Sequence, residues 1–272
     1  MADRQPGVAV VIPCFRQKRF LPRAIASAIE QSVPPAEIIV VDDGSGEDLS
    51  SITASFEGVK LICQENRGLA GARNTGLASA ATEKIIFLDA DDLLLPCAID
   101  TGLKCFVDHP NAAFVYGGFQ IATRHSSEVE FTPVATHNDL VRTNWIGMIA
   151  TVMFDRSKLE ACGGFDETLG MCEDWDAYLR LSRKLPFAAH PNIVAVYVRH
   201  AANASNNRHE LRKWIAAVRA KEWERGLGPE GQKAWREGEE LWRLRVPDPP
   251  RASLMRRLLR VPVRAVRRWI GA

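Results

Sequence analysis

The sequence predicts a doubly wound α/β domain on a mostly parallel sheet. Apolar, β-branched runs recur at short intervals, as in VAVVIP (8–13), EIIVV (37–41) and KIIFL (84–88). Such continuous runs suit strands buried on both faces. Helically spaced segments alternate with them, which is the pattern of βαβ units. Each run then closes on polar or turn-forming residues.

Taken in order, Val8–Pro13 is the first strand. RFLPRAIASAIEQS follows, with Phe20, Leu21, Ile25, Ala28 and Ile29 at helical spacing. EIIVVDDGS is a strand, two aspartates and a turn. Leu49–Phe56 reads as a helix and VKLICQE as a third strand. RGLAGARNTGLASA is a helix rich in small residues, and KIIFLDADD is the fourth strand. AIDTGLKCFVDHP is a helix stopped by Pro110, and AAFVYGGFQIA is a fifth strand. Beyond Thr123 the pattern is less regular. It holds an apolar run (IGMIATVMF), a glycine pair, the amphipathic helix EDWDAYLRLSRKL and the strand PNIVAVYVRH. Right-handed crossovers bring the strand C-termini to one edge, where such sheets bind ligands. The ends Pro13–Phe15, Asp42–Ser45, Gln64–Gly68 and Asp89–Asp92 would share that edge.

Composition bounds the function. The 272 residues carry 46% hydrophobic and 25% charged side chains, enough for one large domain with an appendage. The net charge is only +2, but from Arg245 onward eight arginines accompany a single acid, Asp248. None of the six cysteines forms a CxxC pair, so a zinc site is not expected and free thiols are. No signal-peptide pattern opens the chain, and no apolar window is long enough to span a bilayer. A cytoplasmic location is expected. No P-loop or GxGxxG occurs, which argues against an ATPase or a dinucleotide enzyme. No aromatic–basic module suggests nucleic acid.

The carboxylates Asp89, Asp91 and Asp92 crowd a strand end. Such charges repel unless solvated or neutralised by a cation. A hard divalent ion, Mg²⁺ or Mn²⁺, held by one or two carboxylates and a substrate's phosphates, answers that need. An aspartate-rich turn or helix cap is the plainer alternative. Asp42 and Asp43 are placed to accept hydrogen bonds from a base or ribose. Arg73, near a helix start, is placed to reach a base or phosphate, and Phe15 to stack on a base.

These motifs together resemble glycosyltransferase family 2. The resemblance runs over about residues 7–205 through VVIPCF…VVDDGS, ENRGLAGARNTGL, FLDADD, GGFDE…EDWDAYLRL and YVRH. It implies the GT-A fold, Rossmann-like, with a C-terminal helical extension, and an inverting transferase using a nucleoside-diphosphate sugar. It assigns Asp91 as metal ligand with His200, and Asp89 to the ribose. Pro13, Phe15, Asp43, Asn66, Arg73 and Gly164 complete the donor site. Glu173 and Asp174 form the catalytic pair, with Asp174 as general base. Each has a plainer reading: a charged helix N-terminus for the pair, a structural histidine, a simple turn at Gly163–Gly164. The expected donor is a UDP-sugar, with dTDP and GDP open beside it, and the acceptor a glycan or lipid-linked glycan of bacterial surface polysaccharide or lipopolysaccharide. A silent sugar-nucleotide-binding module would show a degraded DxD or ED motif. A sugar nucleotidyltransferase would show glycines after the first strand, where CFRQKRFL stands.

The expected divisions are a catalytic domain 1–205 (donor half about 7–120, acceptor half about 121–205), a helical extension 206–245 and a tail 246–272. In the tail, Leu254, Leu258, Val261, Ala265 and Trp269 recur at helical spacing between arginines. That pattern suits peripheral contact with an anionic membrane, or packing on protein.

Overall fold

The computed structural model describes residues 5–123, 127–131 and 136–244. The basic tail lies outside them. The core is a nine-stranded sheet. Strands β1 (Gln5–Cys14), β2 (Glu37–Asp42), β3 (Val59–Cys63) and β4 (Thr82–Phe87) run parallel in the order β3-β2-β1-β4. Continuing outward from β4, the order is β8 (Val152–Asp155), β6 (Phe114–Ala122), β9 (Ala188–Val198) and β5 (Leu93–Leu94). β8 is antiparallel to both β4 and β6, so two reversals restore the original direction. β6 and β9 are parallel, β5 is antiparallel to β9, and β7 (Ser127–Glu130) edges β6. The C-termini of β1, β2, β3, β4, β6 and β9 therefore share one edge.

Strand residues alternate between two hydrophobic layers, as a period of two requires. Val8, Val10 and Ile12 face the layer holding α1 (Leu21–Ile29) and α4 (Ala98–Asp108). Ala9 and Val11 face the other layer, with α3 (Gly68–Ser79) and α7 (Glu173–Ser182). β2 and β4 split in the same way: Ile38, Val40 and Ile86 on one side, Ile39, Val41 and Phe87 on the other. The expected helix over Leu49–Phe56 shrinks to one turn, α2 (Ser50–Thr53). Two short helices that the sequence reading did not single out are α5 (His137–Arg142) and α6 (Arg156–Ala161). The extension is α8 (Arg208–Glu224) and α9 (Pro229–Leu244), and its Ile215, Val218 and Ala234 join the same core layer as α3 and α7.

One crossing fixes the site. After β4 the chain runs from Asp89 to β5, on the far side of β9. The aspartate cluster thus bridges the C-terminal ends of β4 and β9. All six cysteines are free, as expected, with Cys14 and Cys105 buried.

The packing of α3 on the sheet is close at Gly76, where a Cβ would stand 2.2 Å from Val11 Cγ1. Gly76→Ala is expected to destabilise the protein by about 1–3 kcal/mol, read from urea unfolding.

Candidate active site

A cleft of about 460 Å³ opens along the shared strand edge. Pro13, Phe15, Asp43, Asn66, Asp89 and Asp91 line it, each a residue singled out from sequence. The cleft is also lined by Tyr197, within the expected strand PNIVAVYVRH, and by Ala202–Ser205, to which the sequence reading gave no role.

At the β2 end, Asp43 Oδ1 accepts from Gln64 Nε2 at 2.7 Å and from the Arg67 amide at 2.8 Å. Asn66 Nδ2 donates to the Asp43 carbonyl at 3.0 Å. These bonds fix the carboxylate and leave Oδ2 without a hydrogen bond from the described residues. Asp42 is spent differently, accepting from the Ser45 amide to close the turn. Phe15 is 41% exposed, an apolar surface on the cleft wall.

At the β4–β9 junction three elements meet. His200 Nε2 stands 3.0 Å from Asp91 Oδ2. Asn203, itself buried, donates to Asp91 Oδ2 at 3.4 Å and accepts from the His200 amide at 2.5 Å. Phe20 stacks on the histidine ring at 4.6 Å between centroids. The ring's Nδ1 accepts from the Ala202 amide at 3.2 Å, which leaves the proton of a neutral ring on Nε2, facing Asp91. Asp92 turns inward and accepts from the Val198 amide at 2.9 Å. Burial pushes the pKa of Asp92 well up, and burial with Asp89 nearby raises that of Asp91.

This pair fits a divalent ion. Octahedral Mg²⁺ has bonds of about 2.1 Å, so adjacent ligand atoms stand roughly 3.0 Å apart. The Asp91–His200 separation of 3.0 Å matches that edge. A cation there would bind Nε2 in place of the proton, and the neutral ring would then carry its proton on Nδ1 and give up the bond from the Ala202 amide. Among the described residues no three His, Cys, Asp or Glu side chains form a metal cluster. Two protein ligands suit an ion shared with phosphate oxygens and water.

Arg73 lies beneath the cleft, not on its wall, with its side chain 3% exposed. Nη2 donates to Asp89 Oδ1 at 2.6 Å, and Nη1 donates to Glu173 Oε1. Both terminal nitrogens are thereby engaged by carboxylates, so the expected direct reach to a base or phosphate is replaced by a link between two motifs. Burial opposes the charge on Arg73, but Asp89 and Glu173 outweigh it and raise its pKa. Glu173 and Asp174 open α7. Burial pushes Glu173 up to about 7 and also raises Asp174. The preceding Cys172 holds a left-handed φ of 65°, a strained conformation for a non-glycine residue. Gly164 is a turn residue: its φ is +65°, and a Cβ would stand 2.5 Å from Asn74 Oδ1. Asn74 in turn pairs with the Phe165 backbone.

The fold and this polar edge define a class: α/β proteins whose ligand-binding edge lies at the strand C-termini. The family model for Glycosyl transferase family 2 matches residues 9–154, more than half the chain, and the chain belongs to that family. Similar curated proteins include Escherichia coli chondroitin synthase, 28% identical over 217 residues, covering 77% of this chain and 31% of the synthase. Another is the E. coli UDP-Glc:alpha-D-GlcNAc-diphosphoundecaprenol beta-1,3-glucosyltransferase WfgD, 29% identical over 157 residues, covering 56% and 61%. The matched regions thus span less than two thirds of either relative. Among solved structures, S. aureus TarS 1–349 in complex with UDP-GlcNAc has a TM-score of 0.64 at 15% identity, covering 85% of this chain and 79% of that one. The Pyrobaculum calidifontis mannosyltransferase PcManGT with GDP-Man and Mn²⁺ has a TM-score of 0.64 at 22% identity, covering 88% and 70%. These likenesses show the GT-A fold.

The raised pKa of Glu173 gives a signed expectation. Protonated, the buried side chain carries no desolvated charge. That advantage is complete below its ordinary 4.5 and lost as pH rises through about 7. Glu173→Gln loses the charged pair with Arg73, and its thermal stability relative to wild type is expected to rise between pH 4 and pH 8, as wild type gives up that proton-linked advantage. A gap that stays constant across that range would contradict the shift.

Proposed function

We propose that the protein is a metal-dependent, inverting glycosyltransferase that moves a sugar from a UDP-sugar to a hydroxyl of a glycan acceptor in bacterial surface polysaccharide synthesis. One observation carries the reading. A single cleft is lined by Phe15, Asp43, Asp89 and Asp91, His200 is bonded to Asp91 behind it, and Arg73 ties Asp89 to Glu173. The UDP-GlcNAc complex of TarS and the polymer-building relatives support the choice of donor and acceptor class.

In this reading Phe15 and Pro13 flank the base, and Asp43 accepts its imide proton, steadied by Asn66. Asp89 takes the ribose. Asp91 and His200 hold Mg²⁺ or Mn²⁺, supported by the Mn²⁺ in the mannosyltransferase. When bound, the ion neutralises the diphosphate, whose charge grows as it leaves. Arg73 acts through Asp89 and Glu173, keeping the donor-side and acceptor-side carboxylates in register. Asp174 takes the acceptor hydroxyl's proton, and its raised pKa suits a general base. The acceptor oxygen bonds the anomeric carbon while the carbon–phosphate oxygen bond breaks. The electron pair departs with the nucleoside diphosphate, and a single displacement inverts the centre. Gly164, a turn residue, shapes the backbone on the acceptor side.

Asp91→Asn is expected to lose Mn²⁺-dependent UDP binding by calorimetry. Asp174→Asn is expected to bind UDP as wild type does and to lose turnover by about 10²-fold or more on a panel of UDP-sugars. Full activity in either variant removes that residue's role.

No helix among the described residues is long and apolar enough to cross a membrane. The tail suggests peripheral attachment at the cytoplasmic face, near a lipid-linked acceptor. Truncation after Val246 is expected to abolish cosedimentation with anionic liposomes; unchanged binding would place the attachment elsewhere.

A further inference from the structure

Helix α8 lies outside the region matched by the family model, residues 9–154. It nevertheless tracks the segment that delivers Glu173 and Asp174, touching it at four points. Trp214 packs against Gly170, where a Cβ would stand 2.8 Å from the indole Cζ2. Lys221 Nζ pairs with Asp166 Oδ2 at 2.7 Å and reaches Thr168 Oγ1 at 3.3 Å. Arg225 Nη2 donates to Asp176 Oδ1 at 2.6 Å. Glu222 accepts from Arg183, just past the end of α7. The contacts therefore bracket the catalytic pair on both sides, at residues 166–170 and 176–183.

The chemistry of these contacts is that of a fixed joint. Asp176 and Glu222 have side chains 0% and 1% exposed. A carboxylate buried so deeply needs cationic partners, and each has two arginines: Arg180 and Arg225 for Asp176, Arg183 and Arg225 for Glu222, which His137 also meets at 3.1 Å. Burial alone would raise Asp166, but hydrogen bonds from Lys221 and Thr168 outweigh it and hold its carboxyl at about 2. The segment needs such a joint. It turns through Gly163 and Gly164 at positive φ, then enters α7 through the left-handed Cys172. A backbone in those conformations keeps its shape only when its surroundings hold it.

We propose that α8 is a splint for the acceptor-side carboxylates, and that Lys221 and Trp214 are positioning residues for Asp174. The inference rests on the reading that Asp174 serves the acceptor. None of the side chains concerned lines the donor cleft, so their loss acts on the acceptor side first.

The test compares Lys221→Met, Lys221→Arg and Trp214→Leu in the full chain. The Lys221–Asp166 pair is part-exposed, at 35% and 23%, so Lys221→Met folds with its thermal midpoint nearly unchanged. Hydrogen exchange of the amides at 169–176 is expected to quicken by about tenfold in Lys221→Met and Trp214→Leu, with the cleft peptides 13–20 and 85–95 unaffected. Hydrolysis of whichever of UDP-glucose, UDP-galactose or UDP-N-acetylglucosamine wild type cleaves is expected to fall in kcat by about tenfold to a hundredfold. KM and UDP affinity stay unchanged, and Lys221→Arg restores both exchange and turnover. Unchanged exchange at 169–176 in both variants, or lowered turnover that Lys221→Arg fails to restore, overturns the splint. A normal Asp174→Asn turnover instead overturns the role of Asp174 and leaves the exchange result to decide on the splint.

Discussion

The buried guanidinium of Arg73 is the constraint on which the site depends. It joins Asp89, at the end of β4, to Glu173, at the start of α7. Three carboxylates, Asp89, Glu173 and Asp174, lie within its field. Without that charge they would repel one another in a low-dielectric setting, and breaking a buried pair costs about 3–5 kcal/mol. With it, two motifs at positions 89 and 173 are held as one unit. The Arg73 Nε is buried and finds no hydrogen-bond partner, so the terminal nitrogens carry the interaction.

Topology does the remaining placement. Because β5 lies beyond β9, the chain leaving β4 crosses the sheet edge, and the aspartates lie on that crossing. Asp91 thereby meets His200 and Asn203, which follow β9. Asp92 secures the crossing from within through the Val198 amide. The three aspartates all border the cleft, but Asp92 is the buried one and its carboxylate is bonded to the Val198 backbone amide.

The strands of the donor half were legible because burial on both faces leaves an unbroken β-branched run, as in Val8–Pro13. The direction of β8 was not. IGMIATVMF reads as apolar, but antiparallel pairing with β4 and β6 is decided by tertiary contacts. β5 was hidden because two leucines are too short a strand to carry a pattern. In the site, Asp43, Asp89 and Asp91 were legible from clustered charge at a strand end. Arg73 was noticed for its position, yet its burial between two carboxylates depends on where α7 docks. Asn203 sits in the polar stretch AANASNN, and only the meeting of the β4 crossing with the β9 end gives it a role. Gly164 was open between a turn and an approach to substrate, and its contact with Asn74 accounts for it locally.

A crystal of the full chain soaked with MnCl₂ and UDP tests the central claim most directly. The account predicts anomalous manganese density touching Asp91 and His200, the diphosphate beside it, and Arg73 still bonded to Asp89 and Glu173. Nucleotide bound elsewhere, or Arg73 swung out of its buried pocket onto the phosphates, would contradict it.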